Sequence, residues 1–133
     1  MPKTIYFVPQ AERGLYGLRD RRVTRRGKDR LRTAGFGIRK ELSDIVLEKP
    51  LLIFHDGNYV SLLTAEALAQ CLVPLETRLE QRVYASHRQQ FQRVIEEIPQ
   101  AGIIVAPRWE ISKYLNVNYG KRYAKPYYTY RLE

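Results

Sequence analysis

The sequence predicts an α/β protein built on a largely parallel central sheet. Three short, continuous apolar runs recur along the chain, at 4–8 (TIYFV), 51–54 (LLIF) and 102–105 (GIIV). Runs of this length are typical of strands that are buried on both faces. Because patterns with the period of a helix separate the runs, each strand is expected to lead into a helix that packs on the sheet.

Four helices and two further strands complete the predicted order of elements. The first helix runs from Thr24, its expected N-cap, to Leu42, with apolar or small residues at positions 27, 31, 34, 38 and 42. The other helices are expected over 59–72, 86–98 and 110–115. A short strand within 73–83 and an edge strand within 127–132 are also expected.

The composition indicates one folded, basic domain. The 133 residues fit a single domain, 1–133, with a core at 4–115 and a basic, tyrosine-rich C-terminal segment at 116–133. A hydrophobic fraction of 44% excludes wholesale disorder. Lys and Arg number 23 against 14 Asp and Glu, and the net charge of +9 favours phosphate-bearing or otherwise acidic partners.

The sequence contains no pattern that indicates a disulfide framework, a metal site, a cofactor or a membrane segment. Its single cysteine, Cys71, lies in an apolar helical stretch and is expected to be a small core residue. No stretch approaches the roughly 20 apolar residues of a membrane span, and the N-terminal stretch lacks the apolar run of a signal peptide. We therefore expect a cytoplasmic protein that binds no metal, cofactor or membrane, and the oligomeric state stays open.

Four segments follow one another in an order that points to a known family: 5–13 (IYFVPQAER), 20–32 (DRRVTRRGKDRLR), 51–72 (LLIFHDGNYVSLLTAEALAQCL) and 102–115 (GIIVAPRWEISKYL). Together they resemble the histidine phosphatase superfamily, and within it the small SixA-like phosphohistidine phosphatases. They correspond to its first strand and loop, the start of its first helix, its second strand with turn and helix, and a later strand with a short helix. The resemblance implies a three-layer α/β/α sandwich, the phosphoglycerate mutase-like fold.

The resemblance also implies that the residues needed for phosphotransfer are missing. In the family a histidine after the first strand attacks phosphorus, while arginines and a second histidine neutralise the phosphoryl oxygens. The family's Arg-His pair falls on Pro9 and Gln10, the arginine of the second turn on Val60, and the second histidine on Pro107. Since none of these side chains can attack or neutralise a phosphoryl group, we expect no activity of the family type.

Two other kinds of site at the strand ends are compatible with the sequence, a catalytic base and an anion pocket. His55 and Asp56 are candidates for a base and its orienting carboxylate, and the simpler interpretation is that a lone turn histidine is polar surface. Gln10, Arg13, His55 and Arg108 are candidates for an anion pocket, and the simpler interpretation is that the arginines are solvated.

The remaining notable side chains have mainly structural interpretations. Trp109, the single tryptophan, either plugs the degenerate cleft or marks a contact surface. His87 is expected on the surface of the first turn of the third helix. Glu12 and Glu110 lie near strand ends and are expected to be structural.

Two basic stretches are candidate interaction surfaces. Eleven Lys and Arg residues lie between positions 13 and 40, so one side of the first helix should be strongly positive. The tail 116–131 interleaves five tyrosines with basic residues, a pattern that suits single-stranded nucleic acid. A solvated helix face and an edge strand or protein contact are the simpler interpretations. The candidate basic surface comprises Arg21, Arg22, Arg25, Arg26, Lys121, Arg122 and Lys125.

Taken together, these patterns favour a catalytically inactive protein of histidine phosphatase type that acts by binding or regulation. Its partner is expected to be a protein or an anionic ligand. The first alternative is a nucleic-acid-binding protein on the same scaffold. The second is a residual or divergent phosphatase that uses His55.

Overall fold

The expected alternation of strands and helices is confirmed by a computed structural model, which describes residues 3–10, 25–43, 47, 50–82, 87–120 and 130–132. The elements are, in order, β1 Thr4–Pro9, α1 Arg25–Leu42, β2 Leu51–His55, α2 Tyr59–Cys71, β3 Thr77–Gln81, α3 His87–Glu97, β4 Ala101–Ala106, α4 Arg108–Tyr119 and β5 Tyr130–Leu132. The expected N-cap of the first helix, Thr24, lies outside the described residues.

The strands form one mostly parallel sheet in the order β3-β2-β4-β1-β5. The first four of these strands run parallel to their neighbours, and β5 pairs antiparallel with β1 at the edge. Strand β3 falls within the segment 73–83 and β5 within 127–132, where a strand was expected in each case. The parallel strands are joined through helices, as parallel pairing requires.

Alternate residues of each central strand enter two separate hydrophobic cores. Tyr6, Ile53 and Ile103 pack with residues of α1 and α2 on one face of the sheet. The next residues along the strands, including Phe7 and Phe54, pack with residues of α3 and α4 on the other face. Burial on both faces explains the continuous apolar runs, and the two cores confirm the three-layer α/β/α sandwich.

Helix α1 packs closely against α2 through a glycine. Its buried side includes Leu31, Gly35 and Ile38, so Gly35 occupies the inner position that was predicted for Ala34. A Cβ added at Gly35 would lie only 2.5 Å from the Cβ of Cys71 in α2. Cys71 itself is partly buried between the two helices, and this burial raises the pKa of its thiol.

Helix α4 is longer than the predicted segment 110–115. It begins directly after Pro107, whose backbone has the extended conformation of an N-cap residue. It continues through exposed residues to Tyr119 and ends at Gly120, which adopts φ 61° and donates its N–H to the carbonyl of Asn116. Glycine favours this left-handed conformation because it has no Cβ.

Candidate functional site

Three adjacent strands end together at one edge of the sheet. Pro9 of β1 is paired with Ala106 of β4, and His55 of β2 is paired with Val105 of β4. The helices that follow β1 and β2 pack on one face, whereas α4, which follows β4, packs on the other. Divergence of this kind opens a crevice outside the carboxyl ends of parallel strands, which is where such sheets bind ligands. We call this region the carboxyl edge.

Gln10 follows β1 and ties this strand to α2. Its backbone N–H donates to the carbonyl of Ala106 (3.0 Å) and thereby extends the pairing of β1 with β4. Its side-chain Nε2 donates to Oγ of Ser61 (2.6 Å), a residue in the first turn of α2 that is fully buried. The Gln10 amide is therefore anchored on the side of the sheet that α1 and α2 cover.

A short hydrogen-bonded turn places the start of α2. Asn58 is the N-cap, and its Oδ1 accepts from the N–H of Val60 (3.0 Å). Oδ1 of Asp56 accepts from the N–H of Asn58 (2.9 Å). Gly57, with φ 83°, allows the chain to turn between them. Val60, directly after this turn, is buried, and the turn holds Ser61 within reach of Gln10.

His55 is buried, with only 5% of its surface exposed, so the expectation of a polar surface histidine is wrong. The side chain lies on the face covered by α2 because it continues the alternation of Leu51 and Ile53. Its Nδ1 accepts a hydrogen bond from the N–H of Gly57 (3.1 Å).

The imidazole of His55 has the properties of a neutral group. Burial lowers its pKa below the ordinary 6.5, and this effect outweighs the opposing influence of the carboxylates of Asp56 and Glu66. Because Nδ1 is an acceptor for Gly57, it carries no proton that it could donate to Asp56. Asp56 therefore stabilises the turn through its bond with Asn58. The geometry does not support the hypothesis that Asp56 orients His55 by accepting a hydrogen bond from Nδ1.

The first turn of α4 contributes two exposed side chains and a buried carboxylate. Arg108 is exposed, and Trp109 has 60% of its surface exposed, so Trp109 does not plug the crevice. The interpretation of Trp109 as a plug is therefore wrong, and its interpretation as a contact surface stays a prediction. Glu110 is buried in the first helical turn, where the helix dipole favours a negative charge.

Comparison with solved structures identifies the architecture. A protein from Agrobacterium tumefaciens assigned as the phosphohistidine phosphatase SixA has a TM-score of 0.67 with 13% sequence identity, and the match covers 91% of this chain and 79% of that chain. The protein histidine phosphatase SixA complexed with tungstate has a TM-score of 0.63 with 12% identity, covering 85% and 74% of the two chains. This is the histidine phosphatase fold.

A more distant match has the same architecture. Phosphoglycerate mutase from Plasmodium falciparum has a TM-score of 0.54 with 14% identity, and the match covers 86% of this chain and 67% of that chain. No protein-family model matches the sequence, and no curated protein matches it significantly. The likeness therefore lies in the three-dimensional histidine phosphatase fold and the order of its segments.

Within the histidine phosphatase fold, the four positions matched to catalytic residues lie at the carboxyl edge. Pro9 ends β1, and Gln10 follows it. Val60 precedes Ser61, which accepts the hydrogen bond of Gln10, and Pro107 directly follows β4. Their equivalence to the family's catalytic residues stays a prediction.

The candidate anion pocket is only partly described. Gln10 and His55 lie on the α1/α2 side of the edge, but β4 separates their strands and Gln10 is two residues further along than the level of His55, so they are more than about 10 Å apart in the backbone. Arg108 begins a helix on the opposite face. Arg13 lies outside the described residues, as does Glu12. Because His55 is neutral above its lowered pKa, it brings no positive charge to such a pocket at neutral pH.

Other predicted surface residues have mixed outcomes. Arg25 and Arg26 are exposed at the start of α1. His87 is the first residue of α3, but its side chain is outside the described part of the structure. The following predicted basic residues also lie outside it: Arg21, Arg22, Lys121, Arg122 and Lys125.

Two residues at the edge were missed by sequence reasoning. The role of Ser61 as the acceptor for Gln10 has no signal in the sequence, because Ser61 lies in an apolar-rich helical segment far along the chain from Gln10. Tyr59 is exposed at the start of α2, as Trp109 is at the start of α4.

In the described part of the chain, no group of three or more His, Cys, Asp and Glu residues could hold a metal ion. None of the described helices is long and apolar enough to cross a membrane.

Proposed function

We propose that this protein is a pseudophosphatase, a protein with the histidine phosphatase fold that does not catalyse phosphotransfer and acts by binding a protein partner. The observation that carries the proposal is the hydrogen bond from Gln10 to Ser61 at 2.6 Å. At the position matched to the family's nucleophile, this chain has an amide, and that amide donates to a buried hydroxyl. An amide nitrogen has no available lone pair for attack on phosphorus.

Two described positions matched to charge-stabilising residues of the family hold no group that would assist another nucleophile. Val60 is apolar and buried, and Pro107 has neither charge nor donor. Loss of a nucleophile alone lowers kcat by about 10⁶-fold in a well-studied protease, and loss of one charge-stabilising donor lowers it by about 10²–10³-fold. On the matched positions, losses of this size support the proposal that the protein does not catalyse the family's reaction.

A binding role is supported by the exposed aromatic residues of the same edge. Tyr59 and Trp109 begin helices on opposite faces of the sheet and therefore flank the crevice. Arg108 is exposed beside Trp109. Tryptophan, tyrosine and arginine are the residues that most often dominate the binding energy of protein interfaces. An anionic ligand is the alternative occupant of the crevice.

The catalytic half of the proposal is tested by turnover assays with a phosphohistidine peptide and an aryl phosphate. We expect the wild-type protein to match Gln10→Ala in both assays, while an active SixA enzyme is positive under the same conditions. Turnover by the wild type that is abolished in His55→Ala would replace the proposal with a divergent phosphatase.

The binding half can be followed through Trp109, because it is the single tryptophan of the chain and lies at the edge. Inorganic phosphate and tungstate are titrated while the tryptophan emission is recorded, tungstate being the ligand named for one SixA structure. A protein-binding edge predicts no saturable change. A saturable change that is lost in Arg108→Gln would instead identify an anionic ligand.

A further inference from the structure

Helix α1 presents a row of basic side chains with one aromatic ring. The row, which we call the basic stripe, consists of Arg25, Lys28, Arg32, Phe36 and Arg39. Steps of three or four residues place these side chains on one side of the helix. All are exposed except the partly buried Arg39, and Phe36 has 46% of its surface exposed.

The stripe runs beside the contact between α1 and α2. Arg39 crosses this contact, and its Nη1 donates to the carbonyl of Val73 (2.8 Å) just beyond α2. The guanidinium carbon of Arg39 lies 5.0 Å from the centroid of the Phe36 ring. One aromatic plane and one guanidinium plane are thereby held together at the surface, next to the exposed side chain of Val73.

Among the described residues, the stripe has one ion pair, and it is a loose one. Asp29 lies beside the stripe, and its Oδ1 is 3.9 Å from Nη1 of Arg32, with both side chains 62% exposed. Such a pair contributes little and leaves the cation accessible. From Arg25 to Arg39 the helix rises about 21 Å, which is long enough to contact several successive nucleotides of one strand.

We propose that the basic stripe binds single-stranded nucleic acid. Four cations spaced along a line suit successive phosphates, and bases stack on exposed aromatic and guanidinium planes. An acidic peptide would use the charges but would gain no stacking on Phe36. The proposed activity is independent of the carboxyl edge and of the pseudophosphatase assignment.

The test measures fluorescence anisotropy of a labelled oligothymidylate of about twelve nucleotides, a length within the usual range of site sizes. Binding by the full-length protein is expected to weaken as salt rises, with a slope of log affinity against log salt of about −2.8 for four phosphate contacts. Arg25→Gln/Lys28→Gln should reduce the slope by about 1.4.

The aromatic contribution is tested with substitutions of the exposed Phe36. Phe36→Leu should lower the affinity about tenfold without changing the salt slope. Phe36→Tyr keeps an aromatic ring and should keep the affinity of the wild type. Equal affinity of Phe36→Leu and wild type would overturn the proposal, as would equally tight binding of polyglutamate.

The matched control is Arg93→Gln/Lys113→Gln, which removes two exposed charges from α3 and α4 on the other face of the sheet. We expect it to bind almost as tightly as the wild type, because these charges lie off the stripe. If this control lost as much affinity as Arg25→Gln/Lys28→Gln, binding would depend on net charge alone, and the proposal would be overturned. Absence of binding at low salt would do the same.

Discussion

Replacing Gly35 with alanine is expected to destabilise the protein, whereas the same replacement at Gly37 is not. At Gly35 an added Cβ would lie 2.5 Å from the Cβ of Cys71, an atom fixed by the backbone of α2. At Gly37 an added Cβ would meet nothing within 4 Å among the described residues outside its own stretch of helix. Both glycines lie inside α1, so alanine brings each a similar gain in helix propensity, about 1 kcal/mol.

The difference between the two variants therefore isolates the packing cost at the helix contact. Inserting a methyl group into a tightly packed contact typically costs about 1–3 kcal/mol. We expect Gly35→Ala to be about 2 kcal/mol less stable than Gly37→Ala. In urea unfolding followed by circular dichroism, with a slope of about 2 kcal/mol per M, the midpoints should differ by about 1 M.

A double-mutant cycle identifies the clashing atom. In a Cys71→Gly background the Cβ that opposes position 35 is absent, so Gly35→Ala should no longer destabilise the protein. Coincident midpoints for Gly35→Ala and Gly37→Ala in the natural background would refute the reasoning. That result would mean that α1 moves away from α2 without cost and that Gly35 is not required for their packing.

Three further predictions concern the carboxyl edge. Ser61→Ala should cost about 1 kcal/mol of unfolding free energy, and a double-mutant cycle with Gln10→Ala should show that the two losses are not additive. Asn58→Ala should cost about 1 kcal/mol through loss of the N-cap, whereas Asn58→Asp should retain most of the stability. Because burial lowers the pKa of His55, its contribution to stability is complete above about pH 6.5 and is lost as the pH falls through the folded-state pKa. The unfolding free energy measured with urea should therefore change less in His55→Gln than in the wild type as the pH falls below about 6.5.

The strands were predictable because burial on both faces leaves a plain signal in the sequence. The runs at β1, β2 and β4 consist of residues that enter the two cores alternately. The end of α4 was not predictable from apolar periodicity, because its last turn is exposed and its limit is set by the conformation of Gly120. The inner position of Gly35 was missed for a related reason, since a close helix contact selects for small size and not for hydrophobicity.

The location of the candidate site was predictable in part. Residues that follow parallel strands must meet at one edge, and this rule alone places Gln10, His55 and Pro107 there. The burial of His55 depends on how α2 covers the sheet, which no local pattern encodes. The bond between Gln10 and Ser61 joins positions 51 residues apart, so it required knowledge of the fold.

The hydrogen bonding of the carboxyl edge supports the proposal that its partner is a protein. A phosphoryl site brings several cations together, and their mutual repulsion is relieved when an anion binds. Here three described groups at the start of α2 and beside it are neutral, namely Gln10, Ser61 and His55 above its lowered pKa, and the charged side chains that influence His55 are the carboxylates of Asp56 and Glu66. Gln10 and Ser61 satisfy one another, so an anion that entered on the α2 side would have to break their bond, and the described cation of the edge, Arg108, begins a helix on the opposite face. The exposed Tyr59 and Trp109 at the same edge are not involved in that bond, and their apolar surface gains free energy when a protein covers it.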